Sequence, residues 1–185
     1  MGQSIMSHFS DDDHWQREKR DTILKPFYLN KSMEGRFIFA DKGRLSDLLQ
    51  REMAVDTLMQ VSGNGVLAIE EKIVRWPKRG YKYTAYTLEL MSCTKPGREK
   101  KGWMYYALCD VLFYCFVQAD GVSLEAHAIP FSKLRAWFFE GDRYLKYPST
   151  ITEQINASEC KIVPIDEVWR GVSGCKKFSL RQSTP

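Results

Sequence analysis

The chain has 185 residues, of which 44% are apolar and 13% aromatic, enough for one domain with a packed core and too apolar for a disordered protein. Its formal net charge of +4 permits nucleic-acid contact without demanding it. Five cysteines show no CxxC spacing and three histidines (His8, His14, His127) form no close pair, which argues against a zinc ribbon or a redox motif.

The N-terminal "MGQSIMSHFSDDDHW" lacks a basic start followed by an apolar run, and Met6 stands where a myristoylation signal wants Ser or Thr. The longest apolar run, "CDVLFYCFV", is about half of what a membrane span needs. These features predict a soluble cytoplasmic protein with reduced cysteines and no membrane contact.

In chain order, Asp11, Asp12 and Asp13 precede "HWQREKRDTILKPFYLN", a helix-start signal, with Trp15, Ile23 and Phe27 as its core stripe and Pro26 at or just beyond its end. "GRFIFAD" predicts a short strand, and "GRLSDLLQREM" a helical turn capped by Ser46 or an irregular segment. Two strands, Val55 to Val61 and Val66 to Val74, flank the turn "SGNG". "WPKRG" predicts a second turn and "YKYTAYTLELMS" a third antiparallel strand. "CTKPGREKKG" is a polar loop, "WMYYAL" one helical turn, and "CDVLFYCFVQ" a strand buried on both faces. Two strand-then-helix units follow, "VSLEAHAIPFSKLRAWFFEG" and "CKIVPIDEVWRGV", with Ser132 and Asp166 as expected N-caps. The order predicts one α/β (α+β) domain over residues 1–185, a mixed central sheet with flanking helices.

The segment "AVDTLMQVSGNGVLAIEEKIVRW" carries charges inside strands built for a core. Alternation puts Glu70 and Lys72 on one face with Ala68 and Val74, and Glu71 on the other with Leu67, Ile69 and Ile73. A three-residue loop of Ser62, Gly63 and Asn64 sets Asp56 across from Glu70. A loop of Gly63, Asn64 and Gly65 sets it across from Lys72, and a two-residue loop puts it on the wrong face unless a bulge compensates. Two carboxylates a strand apart suit one hard cation such as Mg²⁺, and a lysine beside them suits charge on a phosphate.

Asp56, the turn and "IEEK" (Ile69 to Lys72) resemble the PD-(D/E)XK nuclease superfamily, which includes restriction-endonuclease-like enzymes. The likeness spans residues 14–118 and extends loosely to "TLELMS…KKGW…CDVLFYCF", where small phage and bacterial members look similar; Val55 stands where the pattern has proline. The resemblance implies an α-β-β-β-α-β core and Mg²⁺- or Mn²⁺-dependent cleavage of DNA. It implies Asp56 and Glu70 as metal ligands, the main-chain carbonyl of Glu71 completing the metal shell, and Lys72 as the catalytic lysine. An acidic residue from the first helix often joins such sites; Glu18 is the candidate, with Asp21 second. Residues 119–185 form a strand–helix extension with no counterpart in that pattern.

Two basic clusters bracket the proposed hairpin: Arg75, Lys78, Arg79 and Lys82 with Trp76 and Tyr81, and Lys95, Arg98, Lys100 and Lys101 before Trp103. Cations neutralise phosphates and rings stack on unpaired bases, so both are candidate nucleic-acid contacts. Glu89 is expected to be an edge-strand charge and Asp110 a strand-start residue. The expected partners are DNA and a second copy of the chain. The competing readings are a non-catalytic nucleic-acid-binding or protein-interaction module of the same fold, and an accessory protein that binds a host protein through an exposed patch at Trp137, Phe138 and Phe139.

Overall fold

A computed structural model describes residues 14–31, 37–39, 48–61, 65–75, 84–151 and 157–182. Helix α1 covers 14–31 and continues through Pro26 instead of ending there. The reason is local. Arg20–Leu24 forms a wide π-turn in which the Lys25 amide bonds to the Arg20 carbonyl five residues back. Proline clashes with the carbonyl four residues behind it, and a widened turn just ahead of the ring relieves that clash. The helix buries Ile23, Leu24 and Tyr28, with Trp15 and Phe27 packed partly against the same core.

Strand β1 (Phe37–Phe39) and the π-turn helix α2 (Leu48–Glu52) lead to β2 (Thr57–Val61) and β3 (Gly65–Val74). Beyond β3 come β4 (Ala85–Cys93), β5 (Lys100–Lys101), the single helical turn α3 (Trp103–Tyr106) and β6 (Val111–Val117). The chain then runs through β7 (Ser123–Pro130), α4 (Phe131–Phe139), β8 (Ser149–Ile151), β9 (Glu159–Pro164), α5 (Ile165–Gly171) and β10 (Lys176–Arg181). The architecture is mixed α/β. Ser46, Ser62, Gly63, Asn64 and the 76–83 turn, with Lys78, Arg79 and Lys82, lie outside the described residues.

The strands form a six-stranded sheet in the order β1-β2-β3-β6-β7-β10 and a four-stranded sheet in the order β5-β4-β9-β8. The expected third antiparallel strand, β4, therefore does not pair with β3. It crosses to the second sheet and pairs with β5 and β9, and β6 returns to lie parallel to β3. Parallel neighbours need a long crossover, and here β4, β5 and α3 supply it. Residues after 119 complete both sheets, through β7 and β10 in one and β8 and β9 in the other.

The larger sheet has a core on each face. Ile69, Ile73, Phe113, Cys115 and Val117 pack with α1. Leu112, Tyr114 and Phe116 pack with Tyr86, Leu88 and Val163 of the second sheet. This is why "VLFYCFV" is apolar on both sides. The expected caps Ser132 and Asp166 both lie inside their helices, and the N-cap positions are Pro130 and Pro164 with no side-chain bond. Each strand turns directly into its helix. The first amide of each helix is satisfied by a carbonyl from a neighbouring segment, Phe131 by Asp110 and Ile165 by Thr84, both at 2.9 Å. Phe138 is fully buried, while Trp137 and Phe139 are half-buried, with Phe139 packed on Tyr105 and Tyr144, so the aromatic segment belongs in part to the core.

Polar groups also join the two sheets. The indole N–H of Trp169 donates to the Tyr86 hydroxyl at 3.0 Å, and that oxygen lies 2.6 Å from His127 Nδ1. His127 Nε2 lies 2.9 Å from Glu125 Oε1. A carboxylate only accepts, so Nε2 carries the proton and Nδ1 accepts from Tyr86. Burial holds the His127 pKa below its ordinary value, against the pull of Glu125. A lowered base pKa gives stability that is present above the ordinary histidine value of about 6.5 and is lost as pH falls through the folded value. Urea titrations of wild type and His127→Gln from pH 7.5 to 5, values chosen to span about that pKa, are expected to show the wild type losing stability relative to the variant on acidification.

Candidate functional site

The β2–β3 register decides which charges meet. Val61 pairs with Gly65 and Thr57 with Ile69, so three residues connect the strands and Asp56 falls across from Glu70. The Asp56 amide bonds to the Ile69 carbonyl at 2.8 Å and extends the ladder by one step. Just ahead, Ala54 sits at φ 47°, in the left-handed region that a residue with a Cβ seldom adopts. That turn swings the chain from α2 into β2 and brings Asp56 to the strand start. The Asp56 carboxylate is then held on both oxygens. Oδ2 accepts the Glu71 amide at 2.9 Å, and Oδ1 accepts from Gln50 Nε2 at 3.4 Å.

Glu70 thus lies beside the Asp56 side chain. Burial, and then the Asp56 charge, push the Glu70 pKa well above the carboxylate range, and Lys72 only partly offsets this. Lys72 Nζ lies 3.1 Å from Glu70 Oε1 and 5.4 Å from the centre of the Trp103 ring. Burial pulls the Lys72 pKa down, but Glu70, Asp56 and Glu89 outweigh it and hold it above the ordinary lysine value. Lys72 is therefore a fixed cation and not a proton acceptor.

Glu89 is not an edge charge, because β4 is an interior strand of its sheet. Its carboxylate interacts with Lys72 and accepts the Trp103 amide. Gly102 permits this approach: a Cβ there would lie 2.5 Å from the Glu89 carbonyl oxygen. Asp110 behaves as the expected strand-start residue, its Oδ2 accepting the Ala68 amide at 2.8 Å.

Glu71 points to the opposite face, as alternation requires. Arg20 Nε donates to its Oε2 at 2.7 Å, while Tyr28 Oη and Thr57 Oγ1 donate to its Oε1 at 3.0 and 2.8 Å. Its side chain is spent on α1 and β2, and its main-chain amide holds Asp56. Glu18 is not part of the site. It is about half exposed and pairs with Lys19 at 3.0 Å. Asp21 pairs with Lys25. Helical geometry turns residue 18 away from residues 16 and 20, and it is Gln16, Arg17 and Arg20 that face the cavity. The helix thus contributes cations where sequence reasoning expected an acid.

Gln50, Asp56, Glu70, Glu71 and Lys72 complete the lining of this polar cavity of about 230 Å³. It has room for about seven waters. Among the described residues no group of three or more His, Cys, Asp or Glu is placed to hold a metal ion. Asp56 and Glu70 on one cavity still fit Mg²⁺, which takes one or two carboxylates and keeps several waters.

The basic residues are exposed on separate segments. Arg75 ends β3 with its guanidinium 4.6 Å from the centre of the Trp15 ring. Lys95 and Arg98 frame a turn in which the Arg98 amide bonds to the Lys95 carbonyl. Lys100 and Lys101 form β5, with Lys101 over Tyr105 at 5.2 Å and Lys100 within electrostatic reach of Glu89. No helix among the described residues is long and apolar enough to cross a membrane.

An acid whose pKa is raised in the fold contributes stability that is full below its unfolded value of about 4.5 and is lost as pH rises through the folded value. Glu70→Gln keeps the shape and removes the charge. Thermal melts are expected to show it more stable than wild type at about pH 8, by roughly 2–4 °C per kcal/mol relieved, with the difference closing toward pH 4. A variant less stable than wild type at the higher pH would contradict the assigned burden.

A function for this cavity rests on its own geometry: no protein-family model, no curated protein and no solved structure matches the chain.

Proposed function

We propose that the chain is a metal-dependent phosphodiesterase of the PD-(D/E)XK type, with a restriction-endonuclease-like core, acting on DNA. The observation that carries this reading is the convergence of Asp56, Glu70 and Lys72 on one polar cavity. The parallel pairing of β3 with β6, beside the antiparallel β1–β2–β3 meander behind α1, also suits an α-β-β-β-α-β plan in which a β-hairpin and one helical turn replace the last crossover helix.

Asp56 and Glu70 would hold Mg²⁺ or Mn²⁺ through their carboxylates. An ion held there would supply a more acidic water and offset charge on a phosphate oxygen. Gln50 and the Glu71 amide orient the Asp56 carboxylate. Lys72 offers a permanent positive charge to the phosphate or to the attacking water, and Glu89 with Trp103 keep its ammonium in place. Lys100, within electrostatic reach of Glu89, and Lys101 would take flanking phosphates, with Arg75, Lys95 and Arg98 as further basic contacts.

A second reading is a non-catalytic nucleic-acid-binding or interaction module. It is favoured by the ion pairs already made inside the cavity, Arg20 with Asp56 at 3.6 Å and Lys72 with Glu70 at 3.1 Å. Cleavage assays with Mg²⁺ or Mn²⁺ on duplex, nicked, branched and single-stranded DNA separate the two. Asp56→Asn and Lys72→Ala are each expected to lower the rate by about 10²–10³-fold. No cleavage of any substrate, or equal cleavage by the variants, would leave the binding module.

A further inference from the structure

The Arg20 guanidinium has more donors than the protein uses. Its side chain is only 17% exposed, and its Nε–H is spent on Glu71 at 2.7 Å. Nη2 lies 3.6 Å from Asp56 Oδ1, an ion pair but too long for a hydrogen bond. Of the five N–H donors of a guanidinium, the four on Nη1 and Nη2 thus have no hydrogen-bond acceptor among the described residues. The Arg20 guanidinium lines the polar cavity, where a phosphate would also meet Lys72.

The guanidinium is held rigidly. Glu71 is saturated by Arg20, Tyr28 and Thr57, so it fixes the Nε edge and leaves the Nη groups facing the cavity. A planar fork held this way suits two oxygens of one phosphate. We infer that Arg20 is a substrate-binding residue that grips a backbone phosphate of a nucleic acid in this cavity. The inference rests on the nucleic-acid reading of the site but needs no cleavage.

The test is fluorescence anisotropy of a labelled duplex oligonucleotide in EDTA across a KCl series. Each phosphate contact contributes about 0.9 to the slope of log K against log salt. Arg20→Gln is expected to weaken binding and make the slope shallower by about 0.9. Arg20→Lys keeps the charge, so it keeps the slope while losing affinity. Because Arg20→Gln leaves a buried carboxylate without its cation, the double variant Arg20→Gln/Glu71→Gln replaces the pair by two amides and is expected to show the same shallower slope. Glu71→Gln alone keeps the wild-type slope, which a purely structural role for Arg20 would not predict. Wild-type slopes in both Arg20→Gln proteins, or no oligonucleotide binding by wild type, would overturn the inference. Binding with the expected slopes but no cleavage under Mg²⁺ would retire the catalytic reading and leave this one standing. Cleavage with unchanged slopes would do the reverse.

Discussion

A desolvated carboxylate, Glu71, holds the site together. It lies in the apolar layer between α1 and the larger sheet, with its side chain closed to solvent. A charge there is tolerable only with a counter-ion and full hydrogen bonding, and Arg20, Tyr28 and Thr57 supply both. Removing one partner of such a buried pair typically costs about 3–5 kcal/mol, because the other charge is left stranded. The same residue's amide anchors Asp56. One glutamate therefore docks the helix, aims a guanidinium and orients a carboxylate.

β3 is where two cores meet, and its alternation distributes the work. Odd positions Ile69, Glu71 and Ile73 belong to the layer under α1. Even positions Ala68, Glu70, Lys72 and Val74 face the second sheet, where Trp103 and Glu89 wait. The charged positions cluster near the end of the α1–β2 junction, where packing gives way to a polar cavity. Burial and the Asp56 charge disfavour the ionised form of Glu70, the form the proposed metal site would require.

Much of this arrangement was legible in the residues. Alternation separated Glu70 from Glu71, and the Gly- and Asn-rich connection allowed the three-residue spacing that sets Asp56 across from Glu70. The apolar run of β6 announced burial on both faces. What escaped depended on distant partners. Nothing local in "YKYTAYTLELMS" says that its partner is β9, some seventy residues later, and not the preceding strand. Pro26 reads as a terminator because the π-turn that absorbs it has no composition of its own. Ser132 and Asp166 read as caps because the carbonyls that do the capping come from Asp110 and Thr84. Arg20 sits in a run of charges that looks uniformly solvated, and only the buried carboxylate opposite it distinguishes it from Arg17 or Lys19. The spacing of residues 16 and 20 on one helix face was the available signal.

The pairing of β2 with β3 also acts as a reading frame. A slip of one position would turn the Lys72 ammonium into the apolar layer beside the Arg20 guanidinium, and would expel Ile69 and Ile73 from it. Two like charges would then share a space from which water is excluded. The frame-shifted hairpin could not pack under α1, so the helix fits only the register that sets Asp56 across from Glu70.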